Sequence, residues 1–312
     1  MTASSVSERT IMWKRIGKVF PTKPATAEEA IVEGGLDWNV EVRPLSFASA
    51  EGHTTAPGHF ATVRTDTEKM LGAVKSKYQV FNNREAFAFA DNLVDGAGAS
   101  FESAWSTNGG KVVGLTMKLP NTVTVGGKDV FDQYLALRTS HDGSSAIGVA
   151  IMNVRMSCLN QFNLNFAKAT RKWSVNHTSS ASGKLQQARE ALELAFTYND
   201  AFEEEMERLL NTEIPSHLIC AARINRVLIG QHCSESASAG ITDAILANLA
   251  NSETIADEDR NNAYGLINAT TEYFDHIRDY RTGESAFKVT TEGLGARTAQ
   301  ALTNQLLATA GV

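Results

Sequence analysis

The middle of the chain contains short apolar segments separated by glycine turns, and this pattern restricts the possible folds more than any other feature. Between residues 99 and 158 the turns contain Asn-Gly, Gly-Gly and Asp-Gly pairs, at Asn108-Gly109, Gly126-Gly127 and Asp142-Gly143. Such pairs adopt the backbone conformations that join neighbouring antiparallel strands. We therefore predict an antiparallel β-meander of four or five strands.

Segments with helical periodicity lie on both sides of this meander. A helix capped by Asn83 is predicted before it, and a long helix over residues 183–211 follows it, with its apolar residues on one stripe. Four more helical segments occupy the rest of the chain. The predicted fold class is α+β: an antiparallel β-meander packed with helices, followed by an all-helical C-terminal part.

Three regions are expected along the chain. Residues 1–62 contain several prolines and many glycines and threonines, which predicts an irregular N-terminal arm with one short helix over residues 25–35. We expect this arm to pack against another part of the protein or a neighbouring subunit. Residues 63–212 form the predicted α+β core, and residues 213–312 the helical C-terminal region.

Bulk composition is that of a soluble globular protein, with 43% hydrophobic and 21% charged residues. No apolar run approaches the roughly 20 residues that span a bilayer, so we expect no membrane partner. The first 20 residues lack the pattern of a signal peptide. Three cysteines, an odd number, fit a reducing cytoplasm better than a disulfide framework.

The charge is distributed unevenly, although the formal net charge of the whole chain is only −6. Residues 138–177 contain five cations and one carboxylate, a formal net charge of +4. Residues 186–213 contain two cations and eight carboxylates, a formal net charge of −6. This asymmetry indicates possible partners but not a fold.

The last predicted hairpin carries an arginine in each arm, Arg138 and Arg155. In the second arm Met152 and Val154 share one face, predicted to be core, while the face of Arg155 begins apolar and becomes polar. Two cations on neighbouring strands repel each other unless an acid or anion lies between them. A local ion pair, with Asp142 as the nearby acid, and a phosphate-bearing ligand are both consistent with this pattern.

The residues after this hairpin are rich in amides and cations. Candidate contacts to nucleic acid are the two arginines together with Asn160, Gln161, Lys168, Arg171, Lys172, Trp173 and His177. Cations beside an aromatic ring are typical of sites that hold single-stranded nucleic acid, where bases stack on the ring. The alternative is an amphipathic connector whose Trp173 fills the core while its cations are solvated.

No motif for catalysis or metal binding is strong. His141 and Asp142 belong to a turn, where a histidine is usually solvated, and a set of Cys158, His177 and Asp142 could be recognised only by its geometry. Histidine and cysteine residues lack the spacing of a zinc site. We therefore expect no catalytic residues, no metal and no cofactor.

Several segments resemble the phage/plasmid-like proteins, also called the domain of unknown function 932. They are KSKYQVFNNREAFAFADNLV, YLALRTSHDGSSA, NVRMSCLNQFN, NHT and NAYGLINATTEYFDHI, and the resemblance extends from about Val63 onward. It implies a protein of a mobile element acting in the cytoplasm of a bacterial host. The family has no established catalytic residues, so the resemblance implies the biological setting of the protein but not its mechanism. The helix–meander–helix order is also similar to the core of Rad52-type single-strand annealing proteins, an analogy at the level of fold alone.

Three functions follow as hypotheses. The first is non-catalytic binding and annealing of single-stranded DNA in recombination, by a homo-oligomer. The second is an acidic interaction or regulatory protein that acts on a host protein partner through residues such as Glu203, Glu204 and Glu205. The third, an enzyme using His141, Asp142 or His177, ranks last because nucleases generally need clustered carboxylates for metal ions.

Overall fold

A computed structural model describes residues 11–50, 52–144, 147–157, 159, 161–162, 181–214 and 216–309 of the chain. Within these residues the protein contains nine strands that form two antiparallel sheets, and nine α-helices. The α+β class, with a helical C-terminal region, is confirmed. Among the described helices none is both long and apolar enough to cross a membrane.

The strands form two sheets. They are β1 (Gly17–Val19), β2 (Val40–Ser49), β3 (Gly52–Arg64), β4 (Lys69–Lys75), β5 (Ser100–Thr107), β6 (Val112–Val125), β7 (Asp129–Ser140), β8 (Gly148–Arg155) and β9 (Gln161–Phe162). A six-stranded sheet has the order β1-β5-β6-β7-β8-β9, and β2-β3-β4 form a three-stranded sheet. Strand β1 belongs to the same sheet as β5 to β9 although β2 to β4 lie between them in the chain. Strands β5 to β8 are the predicted meander, whereas the short strand β9 was not predicted.

Glycine turns join the meander strands, as predicted. Asn108, Gly109 and Gly110 between β5 and β6 all have positive φ, of 52°, 69° and 103°. Gly126 and Gly127 between β6 and β7 have φ of 60° and 65°. Because this left-handed region is accessible mainly to glycine and asparagine, these residues specify where each strand reverses.

The prediction of an irregular N-terminal arm was wrong for residues 17–19, 40–49 and 52–62, which form strand β1, strand β2 and most of strand β3. The short helix predicted over residues 25–35 is confirmed as α1 (Ala27–Glu33), which Thr26 caps by accepting a hydrogen bond from the Glu29 N–H. Pro44 suggested a loop, but it lies in β2, an edge strand of the three-stranded sheet. Proline is tolerated there because an edge strand needs fewer backbone donors.

The remaining helices are α2 (Asn83–Phe87), α3 (Asp91–Ala97), α4 (Ala181–Leu210), α5 (His217–Ile229), α6 (Glu235–Asn251), α7 (Ala263–Glu272), α8 (Gly283–Thr291) and α9 (Leu294–Thr309). A π-helical turn, Tyr273–Ile277, continues α7. Helix α4 is the predicted long helix, and Phe202, Met206 and Leu209 on it are buried.

Both faces of the six-stranded sheet are covered. One face carries Trp105, Tyr134 and Met152, which pack with Trp13 and with Phe287 of α8. The other carries Leu137 and Val149, which pack against α1, α2 and α3, and Phe131, which packs with α4 and the C-terminal helices. Every residue of β8 is buried. The face of Arg155 does become polar, but its polar residues Asn153 and Arg155 are buried.

Candidate functional site

The two arginines of the hairpin lie at opposite ends of the β7–β8 pair. Arg155 is opposite Phe131 in the register, whereas Arg138 is opposite Gly148. Seven residues of β7 separate the two positions, roughly 24 Å at the usual rise per residue. Because seven is odd, the two side chains also project from opposite faces of the sheet. They therefore do not line one common groove.

Arg155 is a buried structural residue. It is 3% exposed, and its guanidinium donates hydrogen bonds to Asp129 Oδ2 at 2.6 Å and to the Thr254 carbonyl at 2.9 Å. Asn268 Oδ1 of α7 accepts a third bond at 3.3 Å. The assignment of Arg155 to a nucleic-acid surface was therefore wrong, since protein atoms already surround its guanidinium. Its acid is Asp129, not Asp142.

Tyr264 completes this buried cluster. Its hydroxyl donates to the same Asp129 oxygen at 2.8 Å, and its ring centroid lies 5.7 Å from the Arg155 guanidinium carbon. Burial is the main reason that the pKa of Tyr264 is raised far above its ordinary value, so the hydroxyl remains a donor. Asp129 belongs to β7 and Tyr264 to α7, so the cluster joins the sheet to the C-terminal helices.

Arg138 borders a cleft at the other end of the pair. Its side chain is 16% exposed and forms an ion pair with Glu292, which directly follows α8. The Glu292 side chain is 45% exposed. Burial lowers the pKa of the Arg138 guanidinium from its ordinary value. Arg138 is thus a predicted contact residue that borders open space, and Arg155 is not.

The cleft has a volume of about 540 Å³. The β5–β6 turn, the end of β7, the loop after it and helix α8 enclose it. Its lining includes Trp105, Asn108, Arg138, Ser144, Phe287 and Lys288. This volume lies within the range of about 300–1,000 Å³ that is typical of small-molecule sites. The site combines two cations and three carboxylates with several hydroxyl and amide groups and an aromatic wall.

His141 is buried beneath the loop that borders the cleft. Its Nε2 lies 2.9 Å from Asn83 Oδ1, and its ring contacts Trp38 edge-on. Burial lowers the pKa of His141 to about 4, despite the opposing effect of the adjacent Asp142 carboxylate. The expectation of a solvated histidine was wrong. Asn83 was expected to cap α2, but that residue is Asn82, and Asn83 instead holds His141.

Asp142 shapes the same loop. Its Oδ1 accepts a hydrogen bond from the Ser144 N–H at 2.9 Å. Burial opposes ionisation of this carboxyl, but hydrogen bonds from Ser144 and Ser140 outweigh burial and lower its pKa. Gly72 of β4 packs directly on Asp142, because a Cβ at Gly72 would lie 2.6 Å from Asp142 Cα. Residues 142–144 are therefore held by a hydrogen bond within the loop and by contact with β4.

Most of the other predicted contact residues lie outside the described residues. These are Asn160, Lys168, Arg171, Lys172, Trp173 and His177, together with Cys158 of the catalytic alternative. Gln161 is in strand β9, and only its backbone is described. Their assignment to a nucleic-acid surface stays a prediction. Among the described residues no group of three or more His, Cys, Asp or Glu side chains could hold a metal ion.

Sequence reasoning missed Lys288 and Glu292, two of the charged residues at the cleft. They are four residues apart on and just after α8, a spacing that places side chains on the same side of a helix. Nothing in the sequence links them to Arg138, since Glu292 is 154 residues away along the chain. Only the contact between α8 and the sheet brings these residues together.

Comparison with known proteins identifies a family but no closely related structure. No curated protein and no solved structure is significantly similar to the chain. A family model described as a domain of unknown function, DUF932, matches residues 70–298. This match includes the meander, the cleft and most of the helical region, and covers more than half of the chain. The chain therefore belongs to the DUF932 family.

Proposed function

We propose that the protein belongs to a bacterial mobile element, a phage or plasmid, and binds single-stranded DNA without catalysis. The observation that carries this proposal is the basic segment 163–180, which contains three cations and no carboxylate in a chain of net charge −6. Cations neutralise phosphates and release their counterions. This release supplies most of the free energy of non-specific binding to nucleic acid. The protein would act in the host cytoplasm as a homo-oligomer that anneals strands during recombination.

The position of strand β9 supports this proposal. β9 is the last strand in the order of the six-stranded sheet. The chain therefore enters the basic segment 163–180 from an edge of the sheet. Lys168, Arg171 and Lys172 would contact phosphates, and Asn160 and Gln161 would donate to phosphate or sugar without reading sequence. Trp173 would stack on a base.

Of the two hairpin arginines, only Arg138 has a place in this proposal. Arg155 is buried with Asp129 and holds the fold. The β-meander followed by a long helix is also the order that suggested a likeness to Rad52-type annealing proteins. That likeness is an analogy between folds and adds no residue to the site.

Fluorescence anisotropy of a labelled single-stranded oligonucleotide, measured across a salt series, tests the proposal. We expect affinity to fall steeply with salt. The triple variant Lys168→Ala/Arg171→Ala/Lys172→Ala should bind more weakly, and its slope of log K against log salt should be shallower by about 2, since each lost contact to a single strand removes about 0.7.

The matched control removes three exposed cations from another part of the surface, as Lys18→Ala/Lys23→Ala/Arg84→Ala. It should bind like the wild type. Equal losses in both triple variants would mean that total charge, and not the basic segment, governs binding. No binding at low salt by the wild-type protein would refute the proposal.

A second candidate function rests on helix α4. Asp200, Glu203 and Glu204 are exposed on it. This acidic surface fits the alternative of a protein that captures a basic host partner. The variant Glu203→Lys/Glu204→Lys should then lose a stoichiometric partner that the wild type retains from host lysate, while its oligonucleotide affinity should not fall. Retention of the same partner by this variant would exclude the acidic surface.

A further inference from the structure

Arg138 and Glu292, the ion pair that borders the cleft, differ in how far each side chain is exposed to solvent. The Arg138 side chain is mostly buried against the sheet, whereas nearly half of the Glu292 side chain is open to solvent. Arg138 is therefore held in place, and its mostly buried guanidinium needs an anion beside it. Because the Glu292 carboxylate is half open to solvent, the anion of a ligand can reach the guanidinium and take its place.

Lys288 lies one helical turn before Glu292 and also lines the cleft. It is exposed, and no acidic oxygen among the described residues lies within salt-bridge distance of its ammonium. Arg138 and Lys288 thus present two cations to the same space. A phosphate carries more charge than a carboxylate and accepts several charge-assisted hydrogen bonds, so it can replace Glu292 at the guanidinium.

The other two carboxylates at the cleft already have partners within the protein. Glu284 accepts a hydrogen bond from the Asn108 N–H, and Asp142 accepts one from the Ser144 N–H. These bonds hold the β5–β6 turn and residues 142–144 after β7, and so fix two walls of the cleft.

The rest of the cleft suits the uncharged part of a small ligand. Trp105 and Phe287, whose ring centroids lie 4.9 Å apart, contribute an aromatic wall. Asn108 and Ser144 contribute polar groups to the lining. A volume of about 540 Å³ is sufficient for one nucleotide.

We propose that this cleft binds a phosphate monoester of nucleotide size, whose phosphate takes the place of Glu292 at Arg138 and contacts Lys288. The Glu292 carboxylate then competes with the ligand phosphate for the Arg138 guanidinium and pairs with it when no ligand is bound. The same chemistry is offered by a free mononucleotide and by the 5′-phosphorylated end of a DNA strand. This site does not require the basic segment, so the proposal of a phosphate site can be tested independently of the proposal of single-strand binding.

Isothermal titration calorimetry with adenosine 5′-monophosphate tests the site, with adenosine as the ligand that lacks phosphate. Glu292→Gln should bind the monophosphate several-fold more tightly than the wild type, because the competitor has lost its charge. Arg138→Met should bind at least tenfold more weakly. Glu28→Gln, which neutralises a comparably exposed carboxylate paired with Arg84 elsewhere on the surface, should bind like the wild type.

Misfolding cannot cause the tighter binding expected of Glu292→Gln. This variant therefore tests the site even if Arg138→Met folds poorly. Competition by 5′-phosphorylated but not 5′-hydroxyl oligonucleotide would assign the site to strand ends, and competition by neither would assign it to free nucleotides. Either outcome supports the site, whether or not the basic segment binds DNA. Weaker binding by Glu292→Gln, or no binding of monophosphate by either protein, would overturn it.

Discussion

The two ends of the β7–β8 pair each carry an arginine that is paired with a carboxylate, yet the two pairs differ in their surroundings. At one end Arg155 and Asp129 are both buried, and Tyr264 and Asn268 of α7 complete their hydrogen bonds. At the other end Arg138 is paired with the half-exposed Glu292 beside a cleft. We call the end with Arg155 the closed end, and it joins the sheet to the C-terminal helices. The end with Arg138 is the open end, and it retains a carboxylate that a ligand can replace.

The exposure of the partner, more than that of the arginine, therefore separates a structural arginine from a binding one. Removing an arginine whose partner is buried leaves a carboxylate that water cannot reach, which is costly. Removing an arginine whose partner is half-exposed leaves a carboxylate that water can solvate.

Arg155→Met should have the largest effect, because it leaves the Asp129 carboxylate buried without its cation. We expect the free energy of unfolding to fall by about 3–5 kcal/mol, measured by urea denaturation. The double variant Asp129→Asn/Arg155→Met should recover part of this loss, since it removes both charges. A loss below 1 kcal/mol in the single variant would mean that the closed end does not hold the fold.

The burial of His141 predicts a dependence of stability on pH. The pKa is about 4 in the folded protein and 6.5 ordinarily, so between these values the unfolded chain binds the proton more strongly. The free energy of unfolding should therefore fall as the pH drops from 6.5 to 4, by about 3 kcal/mol in total from this residue.

The control for this pH dependence is His141→Gln, in which the decline between pH 6.5 and 4 should be much smaller. Asp142 does not obscure this window, because its pKa in the folded protein lies below its ordinary value of 3.8 and it titrates at lower pH. Equal pH profiles for the two proteins would show that His141 is not held neutral under the loop.

Gly72→Ala should disturb the loop at the open end. The added Cβ would meet backbone atoms of Asp142 at 2.6 and 2.8 Å, and backbone cannot move as a flexible side chain does. We expect a loss of about 1–3 kcal/mol in unfolding free energy. Affinity for adenosine monophosphate should fall as well, whereas the matched variant Gly240→Ala, where a Cβ meets no atom within 4 Å, should leave it unchanged.

Arg138→Met should have the smallest effect on stability, below about 1 kcal/mol, because Glu292 can be solvated when its partner is removed. Urea denaturation of this variant beside Arg155→Met gives the comparison between the two ends directly. Losses of equal size would show that both arginines are structural.

The strand pattern was predictable from sequence because its determinants are local. Asn108-Gly109 and Gly126-Gly127 adopt positive φ and specify the turns whatever else the chain does. Pro44 misled the prediction for the N-terminal region, since a proline is compatible with an edge strand and a sequence does not show which strand is at an edge.

The roles of the two arginines were not predictable in the same way. Asp129 precedes Arg155 by 26 residues, and Glu292 follows Arg138 by 154 residues, so neither partner is a neighbour in sequence. Alternation along β8 correctly separated its two faces, but it could not show that helices cover both of them. Packing between distant elements decides which arginine is closed off and which borders a cleft.

The most direct test of the contrast between the two ends is the affinity for adenosine 5′-monophosphate of two matched variants, Arg138→Lys and Arg155→Lys, under conditions where both are folded. Lysine retains the charge but lacks the planar fork that binds phosphate through two parallel bonds. We predict that Arg138→Lys binds several-fold more weakly, while Arg155→Lys binds like the wild type although it is less stable. Wild-type affinity in Arg138→Lys together with lost affinity in Arg155→Lys would contradict the assignment of the binding role to the open end.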